Sequence, residues 1–271
     1  MNHHRPAARV IAAIILGCAL AGQCSPASQP AEGPTTAPAA EGEAGKILLA
    51  LEKAGREYET IKADLKYQVV NPMLGDKETR SGWVAYRKAA DEKPGGLRIH
   101  FATLSLDDGP TFEEKIDYAF DGRHLSIARH KLKQINRYRV ARDQRQEAMT
   151  LGKGPLPLPF GQKAEEILKR FNVSARPARD DEPKDCDYLR LVPKEGDVEE
   201  ISAVRIEMWV DRATHLPVKI VSLGRDRNTT TVSLENVRTN LKLEDSVFAL
   251  PRPLGWRETI ENLSPETKLT P

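Results

Sequence analysis

The chain has 271 residues, 30% of them charged and 39% hydrophobic, with a formal net charge of +2. A mixed surface of this kind suits a globular domain and gives no electrostatic reason to bind nucleic acid. Beyond the N-terminus no apolar run is long enough to cross a bilayer as a helix.

Arg5 and Arg9 precede the apolar run Val10 to Leu16, which continues through Gly17, Cys18, Ala19, Leu20 and Ala21. A basic start, a short apolar stretch and small residues behind it describe an export signal, too short to span a bilayer stably. Residues 1–21 are therefore read as a signal segment, and the chain as exported to the periplasm. Ala19-Leu20-Ala21 offers a conventional cleavage site. Ile15-Leu16-Gly17-Cys18 offers the alternative, an imperfect lipobox in which Cys18 is a candidate for lipidation and the chain is membrane-tethered. Cys24 follows Gln23, which suits lipoprotein processing poorly. Residues 22–43, rich in Pro, Ala, Thr, Ser and Glu, cannot bury enough apolar surface to offset the entropy of ordering and are read as a linker. Cys186 reads as a lone, partly buried thiol, with pairing to Cys24 as the other reading in an oxidising compartment.

The folded domain is expected over residues 44–256, with 257–271 as a C-terminal tail. Ile47, Leu48, Leu51, Ala54 and Tyr58 recur at helical spacing, which predicts an amphipathic helix over Gly45 to Tyr58. The period then changes to two: Ile61, Ala63, Leu65, Tyr67 and Val69 alternate with polar residues as in a strand. Further strands are expected at 82–86, 97–103, 114–120, 125–129 and 134–140, with Asp121-Gly122 as a hairpin turn. After the run Pro155 to Phe160, read either as part of a lid or as a rigid connector, a second helix is expected over Gln162 to Phe171. Strands return at 173–176, 188–192, 201–210, 217–223 and 229–238, with Asp211 to Thr214 as a turn. Many short strands and two helices predict a mainly β fold built on a strongly curved antiparallel sheet.

Catalysis has little support in the sequence. His100, His124, His130 and His215 stand in no HExxH pattern, a GxSxG elbow is absent, and one domain cysteine does not make a zinc site. The chain is expected to be no enzyme, to hold no metal and to need no cofactor. Basic residues are dense at Arg123, Arg129, Lys131, Lys133, Arg137, Arg139, Arg142 and Arg145. They read as the solvated face of a hairpin or as a surface for anionic headgroups or an acidic partner.

Several segments, in order, resemble the LolA-like lipoprotein carriers of the bacterial envelope. Ile47 to Leu51 with Ala63-Asp64-Leu65 is similar to their opening helix and first strand. Phe120-Asp121-Gly122 with Leu125 and then Lys133-Gln134 is similar to a hairpin of that family, and Tyr188 to Lys194 to one of its strands. Glu207 to Asp211, Leu216-Pro217-Val218, Thr229-Thr230-Thr231 and Phe248 before Pro251 and Gly255 extend the likeness to about Trp256. The resemblance implies an unclosed half-barrel of antiparallel strands, its concave face covered by the N-terminal helix and a second short helix.

It also implies a carrier-like role: burial of lipoprotein acyl chains in an apolar cavity during lipoprotein localisation to the outer membrane. The partners implied are acyl chains of lipoproteins or other envelope lipids and lipoprotein-sorting proteins of the inner or outer membrane. An envelope sensor or anti-sigma-type regulator that binds lipids or lipoproteins without transporting them is the alternative, and a structural lipoprotein a second one. The residues expected to line the cavity are Leu65, Tyr67, Val84, Tyr86, Ile99, Phe101, Tyr118, Phe120, Leu125, Ile127, Met208, Val210, Ile220 and Val232. An ordinary closed core built from the same residues is the competing reading, because alternating strands always yield an apolar face. Under the cavity reading, Phe101→Asp or Leu125→Asp abolishes lipid binding without unfolding the domain. The sequence departs from the family at one place. The carriers latch their lid with an arginine soon after Trp-Val; here Trp83-Val84 is followed by Tyr86 in that slot and Arg87 one residue later, where a strand faces the opposite side.

Overall fold

The computed structural model describes residues 42–90, 95–141, 162–197 and 201–263. The signal segment, most of the linker, Cys18, the Pro155–Phe160 run, Arg142 and Arg145 lie outside these residues.

Helix α1 spans Glu43–Glu57. Strands β1 (Thr60–Asn71), β2 (Asp76–Arg87), β3 (Gly96–Leu106), β4 (Thr111–Phe120), β5 (His124–Arg129) and β6 (Gln134–Arg139) follow. Helix α2 is Ala164–Arg170, and β7 (Phe171–Pro177), β8 (Cys186–Pro193), β9 (Ala203–Asp211), β10 (Pro217–Gly224), β11 (Thr229–Thr239) and β12 (Arg257–Asn262) complete the chain. The strands form one sheet in the order β12-β6-β5-β4-β3-β2-β1-β11-β10-β9-β8-β7. Its two edges, β12 and β7, do not meet, so the sheet is an open half-barrel with α1 and α2 on its inner face.

The expected strands are present, most of them longer than periodicity drew them. The turn at Asp121 forms because its carboxylate accepts the backbone N–H of Arg123 and His124, while Gly122 takes φ 89°. Asp211 does the same for Ala213 and Thr214. As expected, the sheet is antiparallel at every pair of described strands but one: β12 runs parallel to β6. Residues 257–262, read from sequence as the start of a tail, supply that strand.

The parallel direction follows from how the chain reaches β6. After β11 it crosses the outer face of the sheet as a strap, residues 240–256, before entering β12. Three arginines on the outer face hold this strap. Arg87 pairs with Asp245 and lies over the Phe248 ring, 4.6 Å from its centroid. Arg98 donates to the Ala249 carbonyl at 3.1 Å, and Arg137 donates to the Leu250 carbonyl and to Glu258. Phe248 sits where a Cβ on Gly96 would be, within 2.6 Å of the ring, so this crossing requires glycine at that position. Leu250 then packs with Ala119, Ala128, Ile135 and Trp256 in a small outer core.

The main core lies on the inner face. Leu65, Val84, Ile99, Phe101, Tyr118, Ile127, Met208, Val210, Ile220 and Val232 meet Ile47, Leu48, Leu51 and Ala54 of α1 and Ala164 and Ile167 of α2 in one continuous apolar cluster. Phe101 is 0% and Leu125 4% exposed. An aspartate at either place is enclosed by hydrocarbon, so the expectation that such a variant stays folded does not survive this packing.

Candidate ligand-binding site

The inner face brings together the residues that alternation singled out. Leu65 and Tyr67 come from β1, Val84 and Tyr86 from β2, Ile99 and Phe101 from β3, Tyr118 and Phe120 from β4, and Leu125 and Ile127 from β5. Met208 and Val210 on β9, Ile220 on β10 and Val232 on β11 continue the surface. All are buried except Tyr86, which is partly buried against the same cluster. Antiparallel pairing aligns them: Tyr67 faces Val232 across one ladder, and Ile99 lies between Val84 and Tyr118 across two others.

Three aromatic rings run across β1, β3 and β4. Tyr67 and Phe101 are 5.7 Å apart between centroids, and Phe101 meets Tyr118 edge-on at 6.3 Å. Burial raises the phenol pKa of Tyr67, Tyr86 and Tyr118, so all three remain protonated donors at neutral pH. The Tyr118 hydroxyl is buried and has no hydrogen-bond partner among the described residues. Such groups are rare in folded proteins because leaving a buried donor unmade costs about 1–3 kcal/mol.

Toward the β1–β2 turn the inner face becomes polar. Arg80 is buried and binds Glu78 and Glu114, the latter at 3.3 Å. Beyond it opens a cleft of about 830 Å³ with Tyr67, Val69 and Ala203 along its apolar side and Glu78, Asn228 and Thr230 along its polar side. That volume falls within the range of small-molecule sites.

The two helices over this face are joined by one buried carboxylate. Glu52 of α1 pairs with Arg56 and accepts the backbone N–H of Ala164, the first residue of α2, at 2.9 Å. Burial opposes its ionisation, yet the Ala164 N–H and Arg56 together hold its pKa below the ordinary carboxylate range. Lys163, which precedes α2, makes no side-chain cap of its own, so Glu52 does that work from another helix. Glu52→Ala is expected to cost about 1–2 kcal/mol and to increase amide exchange in α2 before the rest of the domain, as hydrogen exchange would read.

At the position where the resemblance implies a latch, strand alternation sends the two side chains to opposite faces. Tyr86 faces inward, whereas Arg87 faces outward and is held at the strap by Asp245 and Phe248. Arg87 therefore stands across the sheet from the helices it would have to secure.

Sequence reasoning passed over two groups that register assembles. The first is Arg80, in a polar stretch of β2 without alternation. The second lies on the outer face, where Asp117 accepts His100 Nδ1 at 2.7 Å, His130 Nε2 at 2.6 Å and Arg98 at 3.0 Å. Read along the sequence, His100 and His130 are unrelated; the β3–β4 pairing and the β5–β6 turn place both on one carboxylate. His130 also stands edge-on to Trp256 of the strap at 5.0 Å. Among the described residues no group of three or more His, Cys, Asp or Glu side chains is placed to hold a metal ion. Cys186 is buried, 2% exposed, and has no disulfide partner among the described residues.

No protein-family model matches the chain, and no curated protein matches it. Solved structures resemble it distantly. An uncharacterised conserved protein from Thermus thermophilus is 9% identical with a TM-score of 0.46, covering 81% of this chain and 99% of its own. MucB, also solved in a Pseudomonas aeruginosa complex with MucA, is 18% identical with a TM-score of 0.43 over 77% of this chain and 63% of MucB. The LolA superfamily protein NE2245 from Nitrosomonas europaea is 11% identical with a TM-score of 0.35, covering 76% and 97%. These likenesses concern the course of the backbone.

Proposed function

We propose that this protein is an exported, envelope-located lipid-binding module that buries acyl chains of lipids or lipoproteins between the inner face of its half-barrel and helices α1 and α2. The Tyr118 hydroxyl carries the reading. An apolar interior with an orphaned buried donor suits a ligand that is mostly hydrocarbon and has a few acceptor oxygens, which describes an acyl ester. Each methylene buried contributes about 0.8 kcal/mol, so one chain suffices for useful affinity without recognition of any particular lipoprotein.

Retention fits the geometry better than hand-over. The arginine that would latch a movable lid lies on the outer face, and Glu52 joins the two helices over the inner one. The role proposed is that of a sensor or regulator that keeps its ligand and reports through a membrane signalling partner.

Calorimetric titration with a triacylated lipopeptide, followed by incubation with acceptor vesicles, tests both parts. Binding that persists in the presence of acceptor vesicles fits the sensor, and delivery to the vesicles fits the carrier. Tyr118→Phe is expected to weaken lipopeptide binding about fivefold, the loss of one hydrogen bond, while leaving thermal stability unchanged or slightly raised. Equal affinity of the two proteins would remove Tyr118 as the polar anchor.

A further inference from the structure

We propose that the β5–β6 turn and the adjoining strap loop form a docking surface for an anionic membrane, with Leu132 and Leu254 entering the interface and Lys131, Lys133, Arg252 and Arg257 meeting lipid headgroups. The turn between β5 and β6 presents Leu132 at 64% exposure, and Leu254 of the strap is fully exposed. Between them lies a shallow pocket lined by Leu132, Lys133, Gln134, Arg252, Trp256 and Arg257. The Arg257 N–H donates to the Lys133 carbonyl at 2.9 Å, so turn and strap are fixed to each other.

The charge of this patch has one sign. Among the described residues Lys131, Lys133, Arg252 and Arg257 make no ion pair. The carboxylates nearby are already engaged: Glu258 by Arg137, with a smaller contribution from the charge of Arg252, Glu113 by Lys115, and buried Asp117 by Arg98, His100 and His130. Exposed leucines ringed by unpaired cations match a bilayer surface, where apolar tips enter the acyl boundary and lysine and arginine stems reach the headgroups. Trp256, partly exposed at the pocket wall, has the amphipathic ring that such an interface favours.

The position in the sheet supports the same occupant. Strand pairing puts the β1–β2, β3–β4, β5–β6 and β10–β11 turns and the starts of β9 and β12 at one end of the half-barrel. Of the large apolar side chains exposed among the described residues, only Leu49 and Ile260 lie elsewhere; Met73, Leu74, Leu106, Phe112 and Val204 join Leu132 and Leu254 at this end. The cleft beside Tyr67 opens there too. Docking through this end presents the cleft to the membrane that supplies its ligand. That consequence rests on the acyl-binding reading; docking itself does not.

Co-sedimentation of the full chain with vesicles tests the proposal, using phosphatidylglycerol mixed with phosphatidylethanolamine and, as neutral reference, pure phosphatidylcholine. The expected result is preference for the anionic vesicles that weakens with added salt. Lys131→Glu with Arg252→Glu should lower partitioning at least about tenfold. Leu132→Ser with Leu254→Ser should lower it about tenfold as well, with circular dichroism confirming that both double variants remain folded. Comparing variants with the parent chain cancels any contribution from residues 1–21. Equal partitioning into both vesicle types, or unchanged partitioning of either folded variant, overturns the proposal. Both variants should still bind lipopeptide in solution, so docking and acyl binding can fail separately.

Discussion

Phe101→Asp is expected to leave the chain without a cooperative thermal unfolding transition. Phe101 sits at the centre of the inner face, 0% exposed, with Tyr67 and Tyr118 against its ring. Truncating a buried phenylalanine typically costs about 3–5 kcal/mol. Here a carboxyl group is also placed among hydrocarbon; it must either stay protonated or draw in water, adding a few kcal/mol more. The sum reaches the whole stability of a typical domain, about 5–15 kcal/mol. A melt followed by circular dichroism checks this, and a sharp transition near that of the parent chain would mean that the inner face has room for water. The same reasoning makes Phe101 a poor probe of ligand binding, for which Tyr118→Phe is the conservative choice.

The second large effect belongs to Asp117. Its carboxylate is 2% exposed and gathers His100, His130 and Arg98, while His130 abuts Trp256 of the strap. Asp117→Ala leaves these donors without their common acceptor. Loss of one partner from a buried ionic cluster costs about 3–5 kcal/mol, and because both histidines retain some contact with water the lower end, about 3 kcal/mol, is expected.

A pH dependence follows from the same group. Burial works against ionisation of Asp117, but the hydrogen bond from His100, the charge of Arg98 and the hydrogen bond from His130 outweigh it and depress its pKa. The unfolded carboxyl titrates near about 3.9. With the folded value below that, the contribution is fully present above about pH 4 and lost as pH falls through the folded value. Denaturant midpoints measured on descending through that window should converge for the parent chain and Asp117→Ala. Parallel curves would mean that Asp117 does not carry acid sensitivity.

Much of this fold was legible because its strands are half-buried. Where one side of a strand packs on the core, as at Ile61, Ala63, Leu65 and Tyr67, period two is written directly in the residues. Where pairing is not accompanied by burial, the signal fades. Residues 257–262 contain one large apolar residue, Ile260, and that side chain is half-exposed; β12 is held by its backbone ladder to β6 and by Arg137 with Glu258 and Thr259 with Asn136. The first half of β2 is polar for a related reason, since Glu78 lines the cleft at the mouth of the half-barrel and buried Arg80 pairs with it and with Glu114.

The inner face was legible in its membership and not in its state. Alternation identifies which residues share the inner face; it does not say whether that face is open or filled. α1 and α2 press Leu48, Leu51 and Ile167 onto it, so access for an acyl chain has to begin at the cleft beside Tyr67 or follow movement of the helices. The Asp117 cluster and the buried Glu52 were invisible for another reason. Each joins residues distant in sequence through strand register or helix packing, and neither spacing nor composition records that.

Native mass spectrometry with lipid extraction, on the full chain purified from the periplasm of an expressing bacterium, tests the acyl-binding reading most directly. The account predicts a population carrying acyl lipid or lipoprotein, or one that takes up a triacylated lipopeptide on incubation and retains it less well in the Tyr118→Phe form. A folded protein that stays at its ligand-free mass under both conditions would contradict it, and the inner face would then be a closed core.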